Sequence, residues 1–137
     1  MTSGAKLPFR FAMRVYWEDT DAAGIVFYAN YLKFFERART EWLRSLGFGQ
    51  EALRLEQGIA FVVSATAVRY RRPARLDDVV SVSVDVRHLG QASLEIAQEA
   101  RRADELLADG TIRIGCVELG TFRPCRIPNT MRQTLSR

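Results

Sequence analysis

From Phe9 to Trp17 the chain alternates: Phe9, Phe11, Met13, Val15 and Trp17 fall on one parity, and Arg10, Ala12, Arg14 and Tyr16 on the other. Successive strand residues point to opposite faces, so this pattern predicts a half-buried strand. The acidic, small-residue stretch EDTDAAG that follows predicts a loop. The period then changes. Tyr31, Phe35, Ala38, Trp42 and Leu46 recur at helical steps, with Lys33, Arg37, Glu41 and Arg44 on other faces, predicting a helix of roughly 16 residues. Leu32, Phe34 and Leu43 widen its apolar stripe, so much of its circumference is expected to be covered, and Gly47 supplies a stop.

Beyond a short amphipathic segment from Gln50 to Gln57, closed by Gly58, the chain reads as strand. Ile59 to Arg71 is rich in β-branched and aromatic residues, and Val79 to Leu89 sets Val80, Val82, Val84 and Val86 against Ser81, Ser83 and Asp85. Gly90 and Gln91 suggest a turn into Ala92 to Arg102, and ADELLADG reads as a connection to a last strand, Thr111 to Leu119. Short connections imply antiparallel neighbours. The expected class is α+β, an antiparallel sheet of about five strands wrapped around one long central helix.

A chain of 137 residues with 47% hydrophobic content is expected to fold as one domain, residues 1–137, with a core from about 9 to 128, a polar N-terminal tip and a fraying tail from Asn129. No apolar run approaches the roughly 18 residues that span a bilayer, so no membrane insertion is expected. MTSGAKLP lacks the apolar stretch of a secretory signal, which points to the cytoplasm. Cys116 and Cys125 form no CxxC pair and have no histidine beside them, so both are read as reduced thiols, with no metal. The net charge of +4 suits an anionic partner, either a polyphosphate ligand or nucleic acid. The basic cluster Arg69, Arg71, Arg72 and Arg75, with Tyr70 among them, fits a solvated face or a phosphate contact.

Trp17 to Leu32, WEDTDAAGIVFYANYL, brings three carboxylates and a glycine to the start of the predicted helix. A carboxylate there suits acyl transfer: it can attack or activate water, while free backbone N–H groups hold an oxygen as it becomes negative. An Asp in that place is equally an ordinary N-cap, and spacing alone does not separate the two. Glu18 and Asp19 suit a structural role, accepting backbone N–H bonds within the loop. Gly24 permits a turn or a close approach to ligand, and Asn30 either caps the helix or holds the loop. His88, the only histidine, is read as a satisfied structural residue at a strand end.

Asp21-Ala22-Ala23-Gly24-Ile25-Val26, then Asn30-Tyr31, then Phe35-Glu36-Arg37-Ala38-Arg39 resemble the signature of 4-hydroxybenzoyl-CoA thioesterase-type hotdog enzymes. Within that family, Arg37 to Arg44 and the C-terminal FRPCRIP, Phe122 to Pro128, look most like the acyl-CoA thioesterases associated with the Tol-Pal system. The likeness covers about residues 10 to 128 and implies a hotdog fold that hydrolyses a thioester to free acid and CoA. It implies Asp21 as nucleophile or general base and the backbone N–H of Tyr28 on the thioester carbonyl. Gly24, Val26, Asn30, Arg71 and Arg72 are the expected substrate and CoA contacts, with Arg101 and Arg102 as further candidate cations for the phosphates. Position 28 departs from the Tol-Pal-associated branch, which commonly carries His there.

The resemblance further implies a homodimer, often a homotetramer, acting on a small-molecule acyl-CoA, or on acyl carrier protein, without a metal or redox cofactor. Pairing two sheets covers one exposed edge from each copy and brings the site near the interface. Three other readings compete. A non-catalytic acyl-binding hotdog partner would not need Asp21, a hydratase of the same fold would pair a His with an acid, and a nucleic-acid module would bind oligonucleotides in a salt-dependent way.

Overall fold

The computed structural model describes residues 8–136; the polar tip expected at the N-terminus lies outside the described residues except for Pro8. Strand β1, Phe9–Arg14, keeps the predicted alternation, with Phe9, Phe11 and Met13 half-buried and the residues between them exposed. Val15 continues that parity and is fully buried. Trp17 does not: Trp17–Asp19 form a short 3-10 turn, which leaves the indole 83% exposed.

Helix α1, Asn30–Ser45, has the expected length and position. Tyr31, Phe34, Phe35, Ala38, Trp42 and Leu43 are buried, while Leu32 is exposed and Leu46 half-buried. The exit is made by Gly47, whose φ of +90° is open to glycine at little cost. The segment after it forms a short helical turn, α2, Gln50–Ala52, and a wider turn, Leu53–Gln57, ending at Gly58 in the left-handed region.

The strands β2 (Ile59–Tyr70), β3 (Val79–Leu89), β4 (Ser93–Arg102) and β5 (Glu105–Glu118) join β1 in one antiparallel sheet, ordered β1-β3-β4-β5-β2. Their inward residues, among them Val80, Val82, Ile96, Ala100, Leu107 and Ile112, are essentially inaccessible and pack with the buried face of α1. Five antiparallel strands around one long helix make the hotdog fold.

Three expectations are corrected. ADELLADG is not a connection: β5 starts at Glu105, because Ala103 takes a positive φ of 52° in a two-residue turn and Leu107 and Ala108 are buried. Gly110 belongs to the strand because α1 crosses it closely; a Cβ there would lie 2.9 Å from the Ala67 carbonyl oxygen and 3.1 Å from Phe35 Cε2. The tail does not fray at Asn129: Asn129–Leu135 form helix α3, with Met131 and Leu135 buried in the core. His88 is exposed, because the register of β3 shifts between Val86 and His88 and breaks the valine parity.

Candidate active site

The loop between β1 and α1 is tied down at many points. Thr20 and Val26 form an antiparallel bridge, Asp21 N–H donates to the Ile25 carbonyl at 2.9 Å, and Gly24 N–H donates to the Asp21 carbonyl at 3.0 Å. Gly24 sits at φ +79° with nothing within 4 Å of where a Cβ would be, so its role here is the turn itself. The loop is fixed to the segment before β3 by Val26 N–H donating to the Ala74 carbonyl at 2.8 Å and by an Ile25–Arg75 bridge.

The carboxylates of this loop separate by environment. Asp19 is 3% exposed and fully engaged: Oδ1 accepts from Asn30 Nδ2 and Oδ2 from Tyr16 N–H, both at 2.8 Å, while its carbonyl accepts from Phe27 N–H at 3.0 Å. Asn30, 7% exposed, therefore holds the loop instead of capping the helix, whose cap position is Ala29. Asp21 is exposed, and its Oδ1 accepts from Ala23 N–H at 2.9 Å in an Asx turn. Among the described residues its Oδ2 has no partner, so one oxygen is oriented and the other is open to chemistry.

Tyr28 lies in the turn just before α1, not within it. Among the described residues the N–H groups of Tyr28 and Ala29 donate to no acceptor, whereas those of Asn30 and Leu32 donate to the Phe27 and Ala29 carbonyls. Free donors at this end of a 16-residue helix carry its positive dipole end. The side chain of Tyr28 meets Tyr70, at the end of β2, edge-on with centroids 6.0 Å apart, and Tyr70 meets Tyr31 at 5.5 Å. The buried Tyr31 hydroxyl accepts from Ala74 N–H at 3.2 Å; burial pushes its pKa up, so it stays protonated.

This aromatic stack places Arg71 and Arg72, which follow Tyr70, at the same end of the sheet as the Asp21 loop. Arg71 is bidentate to Asp109, at 3.2 and 3.1 Å, and Arg72 pairs with Glu105 at 3.3 Å, both near the surface. Arg102 is engaged by Asp78 and Glu105, and Arg101 by Glu99. Asp109 and Glu105 thus offset much of the basic cluster that the sequence displays. Val26 is 4% exposed, so its side chain belongs to the core beneath the loop.

Other reactive groups lie elsewhere. His88 stands nine residues along β3 from Val79, about 30 Å at the rise of a strand, at the end away from the Asp21 loop. Cys116 and Cys125 are free, with sulfurs 3.6 Å apart. Burial, aided by the Cys125 hydrogen bond, pushes the Cys116 thiol up to about 12, which leaves it protonated and a poor nucleophile. Sequence reasoning missed the Asp19–Asn30 clamp; a D-x-D pair with one member buried has no periodic signal of its own.

The family model described as thioesterase-like superfamily matches residues 15–135. The acyl-CoA thioesterase YbgC of Haemophilus influenzae is 44% identical over 124 residues, which cover 90% of this chain and 91% of that protein. The acyl-CoA thioester hydrolase YbgC of Escherichia coli O6:H1 is 40% identical over 124 residues, covering 90% and 92%. A crystal structure of a probable thioesterase from Bartonella henselae superposes with a TM-score of 0.85 at 31% identity, over 89% of this chain and all of that one. With an open carboxylate and free backbone donors on one tightly held loop of a hotdog fold, and with relatives of this closeness over nearly its whole length, the chain belongs to the thioesterase-like superfamily.

Proposed function

We propose that the protein hydrolyses acyl-CoA thioesters to free acid and CoA, with Asp21 as the catalytic carboxylate. The observation that carries this is the contrast within one loop: Asp19 is buried and saturated, whereas Asp21 is exposed with Oδ2 open. Asp21 either attacks the thioester carbonyl or takes a proton from the water that does. The Tyr28 N–H, with the α1 dipole behind it, stabilises the oxygen as it becomes negative; one such donor is typically worth about 3 kcal/mol. Gly24, Val26 and Asn30 give the loop its shape, and Arg71 and Arg72 meet the CoA phosphates by exchanging Asp109 and Glu105 for them. The chemistry runs without a metal or redox cofactor.

The working unit in this reading is a cytoplasmic homodimer, paired further into a homotetramer, of one domain per chain. Strand β2 supports it: twelve residues long, it forms one edge of the sheet and is largely exposed, with Val62 and Val63 open at 37% and 49%. An uncovered edge of that length is an aggregation hazard unless a second copy pairs with it. The test is thiol release from short-chain, long-chain and aromatic acyl-CoAs, and from acyl carrier protein, with chelator present. Turnover of at least one class is expected, and the preferred one names the acyl group. No release from any member overturns the proposal in favour of an acyl-binding partner without turnover.

A further inference from the structure

Along the second half of α1 a cleft of about 180 Å³ opens between the helix, the sheet and α3. Its walls include Trp42, Leu43, Ile96, Ile114, Met131 and Leu135, none more than 9% exposed. Arg39 reaches into this apolar lining. Its Nη1 donates to Gln98 Oε1 at 2.9 Å, and Gln98, 1% exposed, is itself fixed by donating Nε2 to the Phe35 and Ser83 carbonyls at 3.0 and 3.3 Å. Among the described residues Arg39 makes no ion pair, in contrast to Arg71, Arg72, Arg101 and Arg102. Burial pushes its guanidinium below the ordinary value, and the charge of Glu36 partly restores it.

A guanidinium has five N–H donors, and a cation drawn among apolar walls is costly until an anion meets it. Arg39 lies nine residues beyond Asn30, about 14 Å along the helix axis, so the cleft is separate from the Asp21 loop. An apolar cavity of roughly 150 Å³ accepts a benzene ring, so this one has room for a single ring or a short alkyl chain.

We propose that the cleft is a binding site for a small amphipathic carboxylate, whose ring or alkyl chain packs against Trp42, Ile96 and Ile114 while its carboxylate pairs with Arg39. A neutral apolar guest would leave the cation unmatched, and a small inorganic anion would leave the apolar walls unfilled. Glu36 also borders the cleft and opposes an anion there, but it is exposed and screened by water. The site does not depend on the thioesterase reading.

Calorimetric titration of the full chain with benzoate and hexanoate, against benzyl alcohol, hexanol and acetate, tests it. Saturable binding of the two carboxylates is expected, at least about tenfold tighter than that of the alcohols or acetate. Arg39→Gln is expected to weaken it by about tenfold or more and Glu36→Gln to strengthen it a few-fold. Alcohols that bind as well as the acids overturn the proposal on the native protein alone, whatever the variants do to folding. So does a folded Arg39→Gln with unchanged affinity. If no probe binds and Arg39→Gln instead shifts the solution mass from dimer toward monomer, the cation serves contact between copies and the carboxylate site is refuted.

Discussion

Replacing Asn30 by Ala strips a buried carboxylate of half its support. Asp19 is 3% exposed, and of its two oxygens Oδ1 would lose its Asn30 partner at 2.8 Å while Oδ2 keeps Tyr16 N–H. A hydrogen bond to a charged group contributes about 1.5–3 kcal/mol, and a charged acceptor left buried and unpaired costs at least as much as the bond. Asn30→Ala and Asp19→Ala are therefore each expected to destabilise by about 2–3 kcal/mol. The double variant should be no worse than about 2.5 kcal/mol, because removing both partners leaves no buried group unpaired, a coupling of about 1.5 kcal/mol or more. Urea unfolding of the native protein, both single variants and the double variant, at one fixed protein concentration, reads this as shifts in midpoint at constant slope. Additive single effects, with coupling under about 0.5 kcal/mol, would refute the clamp as the device that fixes the loop.

Three further outcomes are expected. Gly110→Ala should destabilise by about 1–3 kcal/mol in thermal unfolding, because the added methyl would meet the Ala67 carbonyl oxygen at 2.9 Å and Phe35 at 3.1 Å; a neutral effect would mean that the helix can lift from the sheet. Burial pushes the Asp78 carboxyl up, but hydrogen bonds from Arg75 N–H and Arg102 outweigh it and hold it below the usual range. Its folded pKa is depressed, so its contribution is present above the unfolded value near pH 4 and is lost as pH falls through the folded one. Arg102→Gln should therefore cost about 1 kcal/mol near neutrality and progressively less below about pH 4, read from urea midpoints across pH; an unchanged difference in acid would contradict the assignment. His88→Ala should leave thioester hydrolysis within about twofold, since the imidazole stands at the far end of β3.

The helix, the strands and their order along the chain were legible because period and burial agree over long stretches: Tyr31 to Trp42 along α1, and Val80 to Val84 along β3. Misreadings fell where a residue type signals a turn but the packing demands otherwise. Asp109 and Gly110 look like a loop, yet the glycine is there because Phe35 leaves no room for a side chain. Met131 and Leu135 are too few to register as a periodic pattern, yet they are buried and wall the cleft between α1 and the sheet. Asp21 stood out through its motif. Its difference from Asp19 is one of burial within an irregular loop, which depends on Asn30 and Tyr16 arriving from either side.

In the proposed reading Asp21 carries the chemistry while Asp19 carries the loop. The direct test is kcat/KM for Asp21→Asn on the best acyl-CoA, measured alongside its unfolding midpoint. A loss of at least about a hundredfold with the midpoint unchanged is expected, because the Asp21 side chain is exposed and makes a single local bond to Ala23 N–H. Activity within about threefold of native, or a loss that appears only together with a lowered midpoint, would contradict it.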